Sequence, residues 1–216
     1  MILLLFTRAL AVIPLPSYRE ELARKRWAEV NTLLEEGCAV NVFPVLCREG
    51  ATERAIAHAD AWQDAIVRDA GLEYLAGLAH RYAGREDEAI RRYTRAIGLD
   101  PARAEAWYDL GELRMARGDL PGATEAFTHV RDLRPDGEMG WIGPWRLAEV
   151  AALDHDPVGL EQNIKVALRR GFSFRQIAGQ ANWRAFYADP ALVDTLDKLL
   201  TVYADRAVRE SLRATP

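Results

Sequence analysis

Lysine is nearly missing from this chain of 216 residues. Only Lys25, Lys165 and Lys198 occur, and arginine carries the rest of the positive charge. No basic run results, and the formal net charge is −4. Bulk electrostatics therefore do not suggest a nucleic-acid partner. Cysteine is scarce too. Cys38 and Cys47 lie nine apart, which fits neither a zinc site nor a redox motif. Buried free thiols in a reducing cytosol are the expectation, with a disulfide as the alternative for an exported chain.

Histidine is equally sparse. His58, His80, His129 and His155 fall on different predicted helices or turns, with no H-E-x-x-H and no Cys/His set. Ser17, Ser173 and Ser211 lack a G-x-S-x-G context, and no glycine-rich phosphate loop is present. The one dense polar triplet, Asp154-His155-Asp156, reads as a solvated turn between helices. These absences predict a chain that is not an enzyme and needs no cofactor or metal.

Long hydrophobic runs are lacking as well. Met1 to Pro16 reads MILLLFTRALAVIPLP, but Arg8 interrupts it and two prolines end it. It is too short to span a bilayer, and it lacks the basic start of a secretory signal. The expectation is a terminal segment docked on the helices, in a cytoplasmic protein. Export by a short signal, or a misplaced start codon, is the alternative.

What is present is a soluble composition, half apolar and over a quarter charged, with a strong internal period. Ala104 to Pro135 reads AEAWYDLGELRMARGDLPGATEAFTHVRDLRP. Trp107, Leu110 and Gly111 open one helical pattern, Gly118-Asp119 breaks it, and Ala123, Phe127 and Val130 run along a second that Pro135 closes. Thirty-four residues earlier stand Gly77, Gly84, Ala89, Tyr93, Ala96 and Pro101 in the same order. Gly50 and Ala55 keep step one period further back. Small residues there let paired helices approach, glycines turn the chain, and prolines end each second helix.

This order and spacing resembles the tetratricopeptide repeat, a helix–turn–helix unit of about 34 residues. The resemblance implies an all-α, right-handed solenoid of antiparallel helix pairs, with an N-terminal helix and a C-terminal helical cap. Its expected parts are an apolar segment 1–16, a helix plus degenerate repeat 17–69, repeats 70–103 and 104–137, an atypical third repeat 138–170, and a cap 171–216.

Helices are expected over 17–36, with Ser17 as cap and Leu22, Trp27, Val30, Leu33 and Leu34 as stripe. Pro44 makes 38–47 a short or kinked helix. Further helices are expected at 52–70, 72–83, 86–98, 104–117, 120–133, 145–153 and 157–170. A last helix starts at Asp189-Pro190, with frayed residues after Arg206. The Gly-Phe and Asp-Pro runs of the tail are similar to those that close many bacterial tetratricopeptide proteins. With the arginine and alanine bias, they suggest a bacterial source.

In the family, partner peptides lie along the inner face of the first helices. That implies a groove of Tyr74, Leu78, Arg81 and Tyr82, then Tyr108, Glu112 and Met115, then Trp145 and Glu149. Tyr74, Tyr108 and Trp145 would form an aromatic ladder suited to an interface. The Lys/Asn carboxylate clamp of some co-chaperones is replaced by Tyr74, Leu78, Tyr108 and Glu112. An apolar and acidic groove, for a segment with apolar anchors and an Arg or Lys, is expected instead. The implied function is a non-catalytic scaffold binding a protein or peptide partner, with no nucleic acid and a possible homo-oligomer. The alternative is an assembly subunit whose groove is filled by its own chain. From Lys165 onward the tail is mildly basic, nine Lys/Arg against five Asp/Glu. A solvated surface is the plainer reading there, an acidic partner the other.

Overall fold

The computed structural model of the chain describes residues 15–39, 46–63, 69–135 and 139–213. The segment 1–14 and the tripeptide 136–138 lie outside them. The fold is all-α: eleven helices and one two-residue hairpin among the described residues. Residues 1–99 and 100–216 form two compact units, taken here in turn.

The first unit holds α1 (Leu15–Gly37), β1 (Cys38–Ala39), β2 (Leu46–Cys47), α2 (Ala51–Gln63), α3 (Ala70–Tyr82) and α4 (Glu86–Leu99). Val30 and Leu34 of α1 pack with Ala55, Ile56 and Ala59 of α2 and Leu72, Leu75, Ala76 and Ala79 of α3. Asp69 caps α3, its carboxylate accepting from the Leu72 amide at 3.0 Å. In the α3–α4 pair a Cβ on Gly77 would stand 2.5 Å from the fully buried Tyr93 ring. Only glycine admits that approach. Gly84 turns the chain with φ +71°, and the Arg85 amide returns to the His80 carbonyl at 2.8 Å.

Three expectations for this unit are corrected. Leu15 and Pro16 are already helical, so Ser17 lies within the helix and is not its cap. Residues 38–47 are not a helix: Cys38 pairs with Cys47 and Ala39 with Leu46 across an antiparallel hairpin. The two cysteines are joined as a disulfide, not free thiols, because the register sets them face to face. Cystine removes the support that free thiols would lend to a reducing compartment. The first helix of this pair is thus α1. Helix α2 is described only to Gln63, so residues 64–68 of the helix expected over 52–70 lie outside the described residues, and Ala70 already belongs to α3. Trp27 is 43% exposed, with its indole edge over Gly71.

The second unit holds α5 (Ala104–Ala116), α6 (Leu120–Leu133), α7 (Ile142–Leu153), α8 (Pro157–Arg169), a short 3-10 turn (Phe174–Gln176), α9 (Ala181–Ala188), α10 (Val193–Tyr203) and α11 (Arg206–Arg213). The α5–α6 pair repeats the glycine–aromatic contact: a Cβ on Gly111 would meet Phe127 at 2.7 Å. Gly118 turns the chain with φ +75°. In the α7–α8 pair His155 takes that place with φ 54°. Asp156 then caps α8, accepting from Val158 at 3.0 Å. Leu160, Ile164 and Ala167 are buried, as the slipped repeat frame predicts.

Two corrections concern the tail. Helix α10 starts at Val193 and not at Asp189. The Asp189 carboxylate accepts from the Ala191 amide at 2.8 Å, which holds 190–192 as a turn. Arg206–Arg213 are helical, not frayed, and residues 214–216 lie outside the described residues. Asp205 caps them through the Val208 amide at 3.0 Å, and Val208 and Leu212 are buried in one core with Leu196, Leu199 and Leu200.

Candidate functional site

The first helix of each pair buries one face and leaves another partly open. On α3, Leu72, Leu75, Ala76 and Ala79 point into the core. Tyr74, Leu78, Arg81 and Tyr82 are half-buried at its edge. The Tyr74 ring lies 5.8 Å from that of Tyr93, tilted by 36°. On α5, Ala104, Ala106, Trp107, Leu110 and Leu113 are buried, while Tyr108, Glu112 and Met115 keep partial exposure. The Tyr108 ring meets the Phe127 edge at 6.0 Å.

In the second unit one arginine gathers the expected residues. Arg146, on α7, donates to Glu112 at 2.7 Å, to the Tyr108 hydroxyl at 3.0 Å, and to Glu149. Its guanidinium also lies 4.3 Å from the centre of the Trp145 ring. Burial alone would push this guanidinium down, but Glu112 and Glu149, with Tyr108, hold it raised. Burial raises the Tyr108 phenol, helped by Glu112 and opposed by Arg146. Arg146 offsets only one of the two carboxylate charges, so Glu112, Glu149 and Arg146 together remain formally acidic.

Glu149 is an internal tie. It is 2% exposed and accepts from the Trp183 indole at 3.0 Å and the Asn182 amide at 2.9 Å, both on α9. Trp145 packs on Trp141 and Phe172, with ring centres 5.6 and 6.4 Å away. Tyr108, Glu112, Trp145 and Glu149 are thus brought together, while Met115 lies apart on α5. Tyr74, Leu78, Arg81 and Tyr82 belong to the other unit.

Repeat-position reasoning missed Arg146, Asn182 and Trp183. Arg146 had a signal, standing three residues before Glu149 on the same helix. Asn182 and Trp183 had none, since the tail carries no repeat frame. Among the described residues no group of three or more His, Cys, Asp or Glu could hold a metal ion. No helix among them is long and apolar enough to cross a membrane.

Antiparallel helix pairs with a small residue under each aromatic define a helical-repeat protein. Residues 74–138 match the family model described as tetratricopeptide repeat. It is similar to Superkiller complex protein 3 of Mus musculus, 24% identical over 138 residues, covering 64% of this chain and 9% of that protein. It is similar to N-terminal acetyltransferase A complex auxiliary subunit NAA15 of Arabidopsis thaliana, 34% identical over 70 residues, covering 32% and 8%. It also resembles the Pseudomonas putida protein named probable biofilm formation methyltransferase WspC, 30% identical over 114 residues, covering 51% and 27%. The chain thus spans less than a third of the length of these relatives. Among solved structures, one of MamA superposes with a TM-score of 0.60 at 13% identity, covering 93% of this chain and 95% of that one. A Podosopora anserina kinesin light chain with nearly identical TPR-like repeats gives 0.53 at 15%, covering 92% and 97%. These two likenesses concern the fold alone.

Proposed function

We propose that this chain is a non-catalytic adaptor that binds a protein segment along the open faces of its repeat helices. The repeats are taken as 70–103, 104–137 and 138–170. The observation that carries the proposal is the partial exposure of Tyr108, Glu112 and Met115 on a helix whose other face is fully buried. Tyr74, Leu78, Arg81 and Tyr82 offer the equivalent face on α3. Aromatic anchors bury much area at little rotamer cost, and the charges beside them select the partner. Two of the similar proteins bear names of multi-subunit complexes, which agrees with a scaffold role. Glu149, 2% exposed, acts inside this reading as a support for Arg146, while the partly exposed Trp145 stays among the partner contacts.

A second reading has its own observation. Asn182 and Trp183 occupy Glu149, so the chain's own tail fills part of the third repeat. On that reading the protein is an assembly subunit that binds through other faces or self-associates.

Pull-down from the cells that make this protein, with wild type beside Tyr74→Ala/Tyr108→Ala, separates the two. A partner lost only with the folded double variant supports the adaptor. Its affinity should fall by more than about 1 kcal/mol, roughly fivefold, for Tyr108→Ala alone. Partners that survive the double variant favour the assembly subunit.

A further inference from the structure

We infer a second interaction surface, at the joint of α10 and α11, that takes an acidic protein segment carrying apolar anchors. It lies away from the α5 face and does not depend on the adaptor reading. Val202 and Tyr203 end α10 and are 70% and 49% exposed. Nothing in the core requires them there, since Leu196, Leu199 and Leu200 already supply the buried stripe of that helix.

Two open clefts flank this pair. One is lined by Thr201, Arg206, Arg209, Glu210 and Arg213. The other is lined by Ser173, Phe174, Arg175, Tyr203, Asp205 and neighbouring residues. Arg206, Arg209 and Arg213 recur at one-turn spacing along α11, whose opposite face buries Val208 and Leu212. Three of the four arginines here already meet a carboxylate. Arg206 pairs with Glu210, Arg213 with Asp197, and Arg175 with Asp205. Arg209 has no ion pair among the described residues, and donates only to the Thr201 carbonyl at 3.5 Å. Lys165 lies near Tyr203 as well and pairs with Glu161 at 2.6 Å. The local excess is positive in a chain whose net charge is −4.

Charge complementarity sets the class of occupant. Basic groups on both sides of an exposed tyrosine and valine match a segment that mixes Asp or Glu with large apolar residues. A nucleic acid fits less well, because a sugar–phosphate backbone has no large apolar side chain to cover the exposed Val202.

The test uses fluorescence anisotropy with the full chain and three labelled probes: a Glu- and Leu-rich peptide, its Gln-for-Glu counterpart, and a single-stranded oligonucleotide. The acidic peptide should bind saturably and the glutamine counterpart should not. Arg206→Gln/Arg209→Gln should weaken the acidic peptide about fivefold, and Tyr203→Ser by a similar factor. These side chains are exposed or make no buried contact that the fold needs, and far-ultraviolet circular dichroism checks that each variant stays folded. The inference is overturned if the acidic peptide does not bind, if its glutamine counterpart binds equally, if the variants bind unchanged, or if the oligonucleotide binds as tightly as the peptide.

Discussion

Removing the Glu149 carboxylate should loosen the tail from the third repeat. In the native chain this group is 2% exposed and serves three donors: Arg146, the Trp183 indole and the Asn182 amide. Glu149→Ala leaves a half-satisfied buried guanidinium and an indole N–H facing no acceptor. Breaking a buried ion pair from one side costs about 3–5 kcal/mol, and an orphaned buried donor about 1–3 kcal/mol within that total. Glu149→Gln keeps an acceptor for Trp183 and should cost only about 1–3 kcal/mol. Arg146→Met should be at least as damaging as Glu149→Ala, because it strands two carboxylates; Glu112 is also only 15% exposed in its side chain. The combination Glu112→Leu/Arg146→Met/Glu149→Gln removes all the charges and should lie closer to wild type than Arg146→Met alone. Urea unfolding followed by circular dichroism and tryptophan fluorescence reads these differences as midpoint shifts at constant slope. A loss below about 1 kcal/mol for Glu149→Ala, or no recovery in the combination, refutes the network as the tie that holds the tail.

Other outcomes follow from the same structure. Gly111→Ala places a methyl 2.7 Å from a fully buried Phe127 ring that has no room to retreat, and should lower stability by about 1–3 kcal/mol in urea unfolding. His80 is 5% exposed, and burial, then Arg92, lowers its pKa against the opposing pull of Glu88 and Asp60, with Arg85 adding to the fall. Its folded value lies below its unfolded value, so the unfolded chain binds the extra proton first. The stability this gives is complete above about pH 6.5 and is lost as pH falls toward the folded value. Melting temperature measured from neutral to mildly acid pH should fall less for His80→Gln than for wild type. Reducing the Cys38–Cys47 disulfide reopens a short loop, with a sequence separation of 9, and should cost the first unit about 2–3 kcal/mol. Melting with and without dithiothreitol, beside Cys38→Ser/Cys47→Ser, checks this, and alkylation of both cysteines in the native unreduced chain would contradict the disulfide.

The helix pairs of the regular repeats were legible because their signal is local. Gly77 and Gly111 sit one period apart under Tyr93 and Phe127, and no other side chain fits there. Gly84 and Gly118 mark turns that need a left-handed backbone. The hairpin at 38–47 was not legible, because pairing across a loop has no helical period to read. Repeat position places Tyr108 and Glu112 on one face of α5, but it carries no sign of Arg146, which bonds both.

The sequence by itself determined the all-α class, the two central helix pairs and the aromatic positions along their first helices, since periodicity, glycine turns and proline stops act within a few residues. Only the tertiary structure decided which of those positions stay open. Glu149 is covered by Trp183, a residue far along the chain that carries no repeat spacing, while Trp145 packs on Phe172 and keeps partial exposure. The pairing of Glu112 with Arg146, the cystine of Cys38 and Cys47, and the clustering of arginines beside Tyr203 likewise arise only when separate segments pack. Burial and charge compensation belong to the folded arrangement, and no local pattern encodes them.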